Sequence, residues 1–485
     1  MDYKLTRLEP VRVFHYFEEL CSIMRPCGHT GEAAAYLVSF AGSHGLRCKK
    51  DDYGNVVIYS GATAGQEDAP TVILQAHMDT YMSGADRHDI LKTVPEINYI
   101  DEYVFSRGQS MGAESAISIA YILSILESDE IEHPAIEAIF TADEGDRLRG
   151  ALALDVSGLS GRFLISIDER NESQILTSSA GGLSGKMYVA VRYKEDCGEK
   201  YKIIASGFQG GHSGTEIHRC PGNANIIMGR LLHFLSSKVD FRLKSLTGGL
   251  MPNAIPRGAE CEVILDKEDT GDFESLIQDF ERTIQNEYRA NEHNISIYCD
   301  YQGYFEEKVL YKRTQERLVF LLNTVPDGIQ KISQEAVTYG LVQSSINTAI
   351  MRLGEREFFL ESTIRSSITS EKEALSDKLR YLTETIGGRY EEYNEFPAWE
   401  YKNDSVLAPF VAGIYKSLFG KAPMVTGVHA GRECGVFAEK MPGIDMVSIG
   451  PDIIDAHTVQ EKLSIASAQR VWIFLLEILR SFKSL

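Results

Sequence analysis

The stretch Thr71-Val72-Ile73-Leu74-Gln75-Ala76-His77-Met78-Asp79-Thr80 runs from a buried-strand pattern straight into a His-x-Asp. An imidazole and a carboxylate delivered together at a strand's C-terminal end suit a metal site. A ligating ring needs its other nitrogen held by an acceptor, which fixes the tautomer and raises the ligand's basicity. Other carboxylates and one further imidazole, Glu114, Asp143, Glu144, Asp168 and His457, also follow strand patterns or open helical ones. Imidazole plus carboxylate with few thiols is donor chemistry for zinc, manganese or cobalt.

These residues converge only if their strands share one sheet. Residues 8 to 45 read as two helices, with apolar spacing through Phe14, Phe17, Leu20 and Ile23. Strand patterns follow at Gly54 to Tyr59 and 71 to 76, a helix over 112 to 128, and strands over Ala135 to Thr141 and Arg162 to Asp168. Alternating strands and helices predict an α/β fold, a mostly parallel sheet with helices on both faces, whose strand ends build the site.

Past Gly181-Gly182 the pattern changes. Polar and apolar residues alternate over Gly185 to Val191 and Ala259 to Ile264 among long helices such as Phe273 to Ala290, and a second such set runs from Ser344 to Ile386. That predicts an inserted α+β domain of antiparallel sheet covered by helices, long enough for two such units. The expected division is 1–181 and 397–485 for the α/β domain and 182–396 for the insertion. Strands at 423 to 428 and 444 to 448 and a closing helix from 463 to 482 complete the former.

The 485 residues carry 49 Lys and Arg against 69 Asp and Glu, a formal net charge of −20, which argues against a nucleic-acid or anionic-membrane surface. Neither a signal-peptide core nor a run of spanning length is evident, so the expected location is cytoplasmic. The eight cysteines are scattered without Cys-x-x-Cys, which suits reduced thiols.

Several segments together resemble the bacterial aminoacyl-histidine dipeptidases (cytosol non-specific dipeptidases), members of a zinc exopeptidase family that also holds carboxypeptidases and carnosinases. They are Leu74 to Asp79, Gly210-Gly211-His212-Ser213-Gly214-Thr215-Glu216-Ile217-His218, Gly222 to Asn225, Asn253 to Arg257, His429-Ala430-Gly431-Arg432-Glu433-Cys434-Gly435 and Asp445 to Pro451, in the same order over nearly the whole chain. The resemblance implies a zinc-exopeptidase-like catalytic domain with an α+β lid. His77 and Asp168 would hold one metal, His457 the other, and Asp79 would support His77. It also implies an aspartate bridging both metals and a Glu-Glu pair, the first a general base and the second a ligand of the second metal.

This chain departs from the pattern at those two places. The bridging position holds Glu114, and the pair falls in Asp143-Glu144-Gly145-Asp146. The intervals from Glu114 to Glu144 and from Glu144 to Asp168 fit the family without gaps, which makes Glu144 the base and Gly145 the missing ligand. A one-residue shift would make Asp143 the base and Glu144 the ligand. On the first alignment one site keeps His77, Glu114 and Asp168, and the second is left with Glu114 and His457 unless Asp143 or Asp146 substitutes.

By the same resemblance, His212 matches a lid histidine that stabilises the tetrahedral oxyanion on closure. Asn347 and Arg365 lie where the lid is expected to meet substrate, and Glu433 is a candidate partner for a substrate ammonium. The implied activity is metal-dependent hydrolysis of small unblocked dipeptides, Xaa-His among them, with one or two Zn2+ ions, or Mn2+ or Co2+ instead. Two alternatives stand beside it: a degenerate relative that binds a peptide or amino-acid derivative without turnover, and a one-metal amidohydrolase with another substrate. A homodimer is compatible with the family, and no stretch of sequence argues for one.

Overall fold

The computed structural model describes residues 4–80, 94–145 and 147–485. The chain forms two compact units: Met1–Ser179, Trp399–Gly427 and Arg432–Leu485 make the first, Ala180–Ala398 and Val428–Gly431 the second.

The first unit holds an eight-stranded sheet in the order Arg47–Lys50, Val56–Ser60, Ile136–Thr141, Val72–His77, Phe163–Ile167, Asp445–Ile449, Gln174–Ser179, Met424–Val428. Parallel pairing joins the four central strands, from Ile136–Thr141 to Asp445–Ile449. Antiparallel ladders join Arg47–Lys50 to Val56–Ser60, Val56–Ser60 to Ile136–Thr141, and Gln174–Ser179 to Asp445–Ile449. Val72–His77 and Ile136–Thr141 are buried at every residue, as parallel strands covered on both faces must be. Their side chains share one apolar core with helices Val11–Cys21, Gly31–Ser43, Ala113–Leu126, Leu407–Phe419 and Ile465–Ser481. Ala113–Leu126 is apolar nearly all round and buried at every residue, so it is a core helix rather than a surface one. Because the central strands run in one direction, their C-terminal ends lie on one edge, and His77 and Asp168 arrive there together.

A buried arginine ties that edge down. Arg25 is 2% exposed, and its guanidinium donates to the carbonyls of Met78, Met111 and Gly112, each at 3.0 Å. It therefore joins the turn after His77 to the start of the helix that carries Glu114. Gly112, at φ +61°, permits the approach, since a Cβ there would lie 2.4 Å from the Thr80 hydroxyl oxygen.

The second unit is built on one nine-stranded sheet whose paired strands run antiparallel. Its two halves meet through a short ladder, Thr247 and Gly248 against Arg352 and Met351. Helices Ala224–Ser236, Phe273–Glu287, Lys312–Thr324 and Thr369–Thr385 pack apolar residues into its core. Phe273–Glu287 shows the sequence logic plainly: only Phe273, Ile277, Phe280 and Ile284 are buried, a single stripe at helical spacing. None of the eight cysteines, all of them among the described residues, is in a disulfide. Among the described residues no helix is long and apolar enough to cross a membrane.

Candidate metal centre

Three of the expected ligands meet at the strand ends. One ligand atom each from His77, Glu114 and Asp168 lies within 4.8 Å of the others, and all three side chains are buried. His77 Nε2 is 3.6 Å from Asp168 Oδ1 and 3.9 Å from Glu114 Oε1. That nitrogen is buried with no hydrogen-bond partner. A buried polar atom left unpaired is costly, and a cation between it and the two carboxylates removes the cost. The donor set fits one divalent ion.

Asp79 holds the rest of this corner. Its Oδ1 lies 3.2 Å from His77 Nδ1 and accepts from the Glu144 backbone N–H at 2.8 Å, while Oδ2 accepts from that of Gly145 at 2.9 Å. With its proton on Nδ1, His77 presents Nε2 as a free donor atom. Burial pulls the His77 pKa down, but the neighbouring Asp168 and Asp79 carboxylates push it well above the ordinary histidine value.

The residue pair at 143 and 144 separates by backbone geometry. Asp143 has φ +54°, and its Oδ1 accepts from the Gly28 backbone N–H at 2.7 Å. Glu144 instead sits among His77, Asp168, Asp79 and Arg432. Burial, with Asp168 and Asp79 adding to it against His77 and Arg432, raises its pKa to about 7. Gly145 offers only its N–H, and Asp146 lies outside the described residues.

Two arginines that sequence reasoning missed complete the site. Arg432 Nε lies 3.5 Å from Asp168 Oδ2 and 3.2 Å from Glu169 Oε1. The Arg170 guanidinium contacts Glu114 Oε2 through Nε and lies 3.0 Å from His457 Nε2 through Nη2. His457 Nε2 is also 2.7 Å from Glu114 Oε1. Burial would raise the Glu114 pKa, but Arg170 and then His457 hold it well below the usual carboxylate range. The available signal was position: Arg170 stands two residues past the strand-ending Asp168, and Arg432 just before the helix Glu433–Lys440.

Glu433, expected as a partner for a substrate ammonium, is buried at the strand ends. It is 3% exposed, and its Oε2 accepts from Gln75 Nε2 and Thr141 Oγ1, both at 2.6 Å. Its carboxylate faces the buried strand ends because the helix it opens starts against them. Burial, opposed by His77 and the Thr141 hydroxyl and aided by Glu144 and Asp79, raises its pKa to about 8. A carboxyl with a raised folded pKa weakens the fold as pH rises from its unfolded value through that of the folded state. With chelator present, the stability of Glu433→Gln relative to the parent should therefore grow by about 3 kcal/mol between pH 5 and 8. Urea unfolding at several pH values measures this, and a constant difference would contradict it.

His212, Asn347 and Arg365 belong to the second unit, where a separate cluster forms. The Gly214 and Thr215 backbone N–H groups donate to His212 Nδ1, both at 3.2 Å, so the neutral ring carries its proton on Nε2. Burial and the Arg365 charge lower the His212 pKa to about 4, and burial and the same charge lower that of His429 to about 3. Arg365 is 8% exposed, its Nε has no hydrogen-bond partner, and burial lowers its pKa to about 10. Gly214 makes this crowding feasible: a Cβ there would meet the His429 carbonyl oxygen at 2.7 Å and Arg365 Nε at 3.2 Å. A buried guanidinium beside two neutral imidazoles is a place for an anion. Asn347, 2% exposed, donates to the Ala254 carbonyl at 3.0 Å and so anchors the segment that pairs with Gly211–His212.

Comparison with known proteins gives the arrangement its family. The description "Peptidase family M20/M25/M40" fits residues 73–481. The cytosol non-specific dipeptidase of Escherichia coli (strain K12) is 32% identical over 482 residues, 98% of this chain and 99% of the relative. The crystal structure of aminoacylhistidine dipeptidase from Vibrio alginolyticus matches with a TM-score of 0.90 at 30% identity, over 99% of this chain and 98% of that one. A tripeptidase from Staphylococcus aureus subsp. aureus Mu50 matches at a TM-score of 0.57 and 15% identity, over 99% and 100%, and shares the fold alone. The present chain belongs to peptidase family M20/M25/M40.

Proposed function

We propose that this protein is a cytoplasmic metal-dependent dipeptidase that hydrolyses the peptide bond of small unblocked dipeptides, Xaa-His among them, with zinc as the ion. The observation that carries the reading is the unpartnered, buried Nε2 of His77 facing Asp168 and Glu114, with Glu144 held beside it by Asp79.

His77, Glu114 and Asp168 would hold the ion. Once bound, it supplies Lewis-acid polarisation of the peptide carbonyl and lowers the pKa of the attacking water. Glu144 takes a proton from that water and passes it to the leaving amine, a task that suits a carboxylate with a raised pKa. Asp79 fixes the His77 tautomer and the backbone on which Glu144 stands. In the second unit, the His212 Nε2–H is a donor for the tetrahedral oxyanion, and Arg365 is a fork for the dipeptide's C-terminal carboxylate.

The base works only as a carboxylate, so kcat/KM should fall as pH drops through its pKa. Without metal that value is about 7. In the loaded protein the acid limb should lie between 7 and the ordinary carboxylate range, because positive charge nearby favours ionised Glu144. A profile flat from pH 7 to 4 would remove Glu144 from the role.

The direct test assays the purified, zinc-loaded protein on unblocked dipeptides, their N-acetylated counterparts and tripeptides. Hydrolysis confined largely to unblocked dipeptides, abolished by chelator and restored by zinc, is expected. Binding without turnover would instead favour a ligand-binding relative, and turnover of another amide alone would favour a different amidohydrolase.

A further inference from the structure

The family pattern calls for a second cation between the bridging carboxylate and the far histidine, and the described residues at that place do not fit one. Glu114 and His457 are present, with His457 Nε2 at 2.7 Å from Glu114 Oε1. Gly145, where a further carboxylate ligand is expected, has no side chain to give. Among the described residues that leaves two protein ligands, fewer than the three usual for catalytic zinc. The place between them is also taken: the Arg170 guanidinium reaches Glu114 Oε2 with Nε and lies 3.0 Å from His457 Nε2 with Nη2.

We propose that the Arg170 guanidinium stands in for the second metal ion between Glu114 and His457, so that this chain binds a single divalent ion, at His77, Glu114 and Asp168. A dication there would have to displace the guanidinium, and otherwise would sit against a fixed positive charge inside a buried cluster. The departures compensate one another. Replacing a dication by a guanidinium removes one unit of positive charge, and glycine in place of a carboxylate removes one unit of negative charge. Glutamate at the bridging position fits the same scheme. One of its oxygens, Oε1, faces His77 and His457 while the other, Oε2, accepts from the arginine fork, an arrangement that suits a planar multi-donor cation.

The inference rests on the metallopeptidase reading for its first site, and metal counting separates the two. The full-length protein is loaded with zinc, freed of excess by gel filtration and analysed for zinc per chain. Manganese-loaded samples are examined by electron paramagnetic resonance, where a magnetically coupled ion pair differs from an isolated ion. One ion per chain and an uncoupled signal are expected for the parent and for Arg170→Lys, which keeps the charge. Two ions and a coupled signal are expected for Arg170→Glu combined with Gly145→Glu, and a weaker second ion for Arg170→Ala in excess zinc. Two tightly held ions in the parent would overturn the proposal. So would a single ion in every variant that melts like the parent, since Arg170 would then not be what excludes the second. Should the double variant fail to fold, the Arg170→Ala and Arg170→Lys pair decides by the same count. If the counts come out as expected but no dipeptide is cleaved, the dipeptidase reading falls and the one-ion centre stands.

Discussion

Glu144→Gln should lower kcat on an unblocked dipeptide by about a thousandfold, with zinc content unchanged. The substitution keeps shape and removes only the ability to take a proton. Glu144 is positioned through its own backbone, whose N–H donates to Asp79 at 2.8 Å, so the variant should retain the loop conformation. The ligand cluster of His77, Glu114 and Asp168 does not include residue 144, which is why metal binding should survive. Asp143→Asn is the control that distinguishes neighbours. Asp143 Oδ1 accepts from the Gly28 N–H, an interaction the Asn side-chain oxygen can keep, so the change should cost activity far less. If Asp143→Asn were the crippling variant and Glu144→Gln mild, the assignment of the base would have to move by one residue.

Arg365→Met should reduce kcat/KM for dipeptides about a hundredfold, chiefly through KM, without lowering the melting temperature. The two halves of that expectation come from one fact. The guanidinium is buried with Nε unpartnered, and its pKa is pushed down to about 10. A group whose positive form is disfavoured in the fold costs stability at neutral pH, and replacing it by an apolar side chain of similar length removes that cost. What it loses is the fork proposed to pair with a substrate carboxylate. Dipeptide amides, which lack that carboxylate, should lose far less than dipeptides when the variant replaces the parent. An equal loss on both substrates, or a large drop in melting temperature, would mean that Arg365 is structural.

Much of the site was legible along the chain because its chemistry is tied to local pattern. A strand of buried residues ending in His77-x-Asp79 specifies a position and a tautomer-fixing partner at once, and parallel pairing carries Asp168 to the same edge. The Gly210 to His218 segment fixes His212 in the same local way, through backbone donors two and three residues on. The α/β character of one part and the antiparallel character of the other followed from hydrophobic period, since strands covered on both faces and strands covered on one leave different patterns.

The sequence by itself thus determined the two kinds of layer, the strand ends that deliver His77, Asp168 and the Glu144 turn, and the departures at Glu114 and Gly145. Only the tertiary structure decided what surrounds those groups. Glu433 turns out to face Gln75 and Thr141, residues 358 and 292 positions away. Arg432 meets Asp168 and Glu169, and Arg170 meets Glu114 and His457, the latter 287 positions distant. No local period encodes such pairings. A charged side chain reads the same whether it is solvated or buried against a carboxylate, and the difference is set by which distant segments the fold brings within a few ångströms. That is why the candidate ligands could be proposed from the chain, while the arginine beside Glu114 and His457 could be recognised only once the chain was folded.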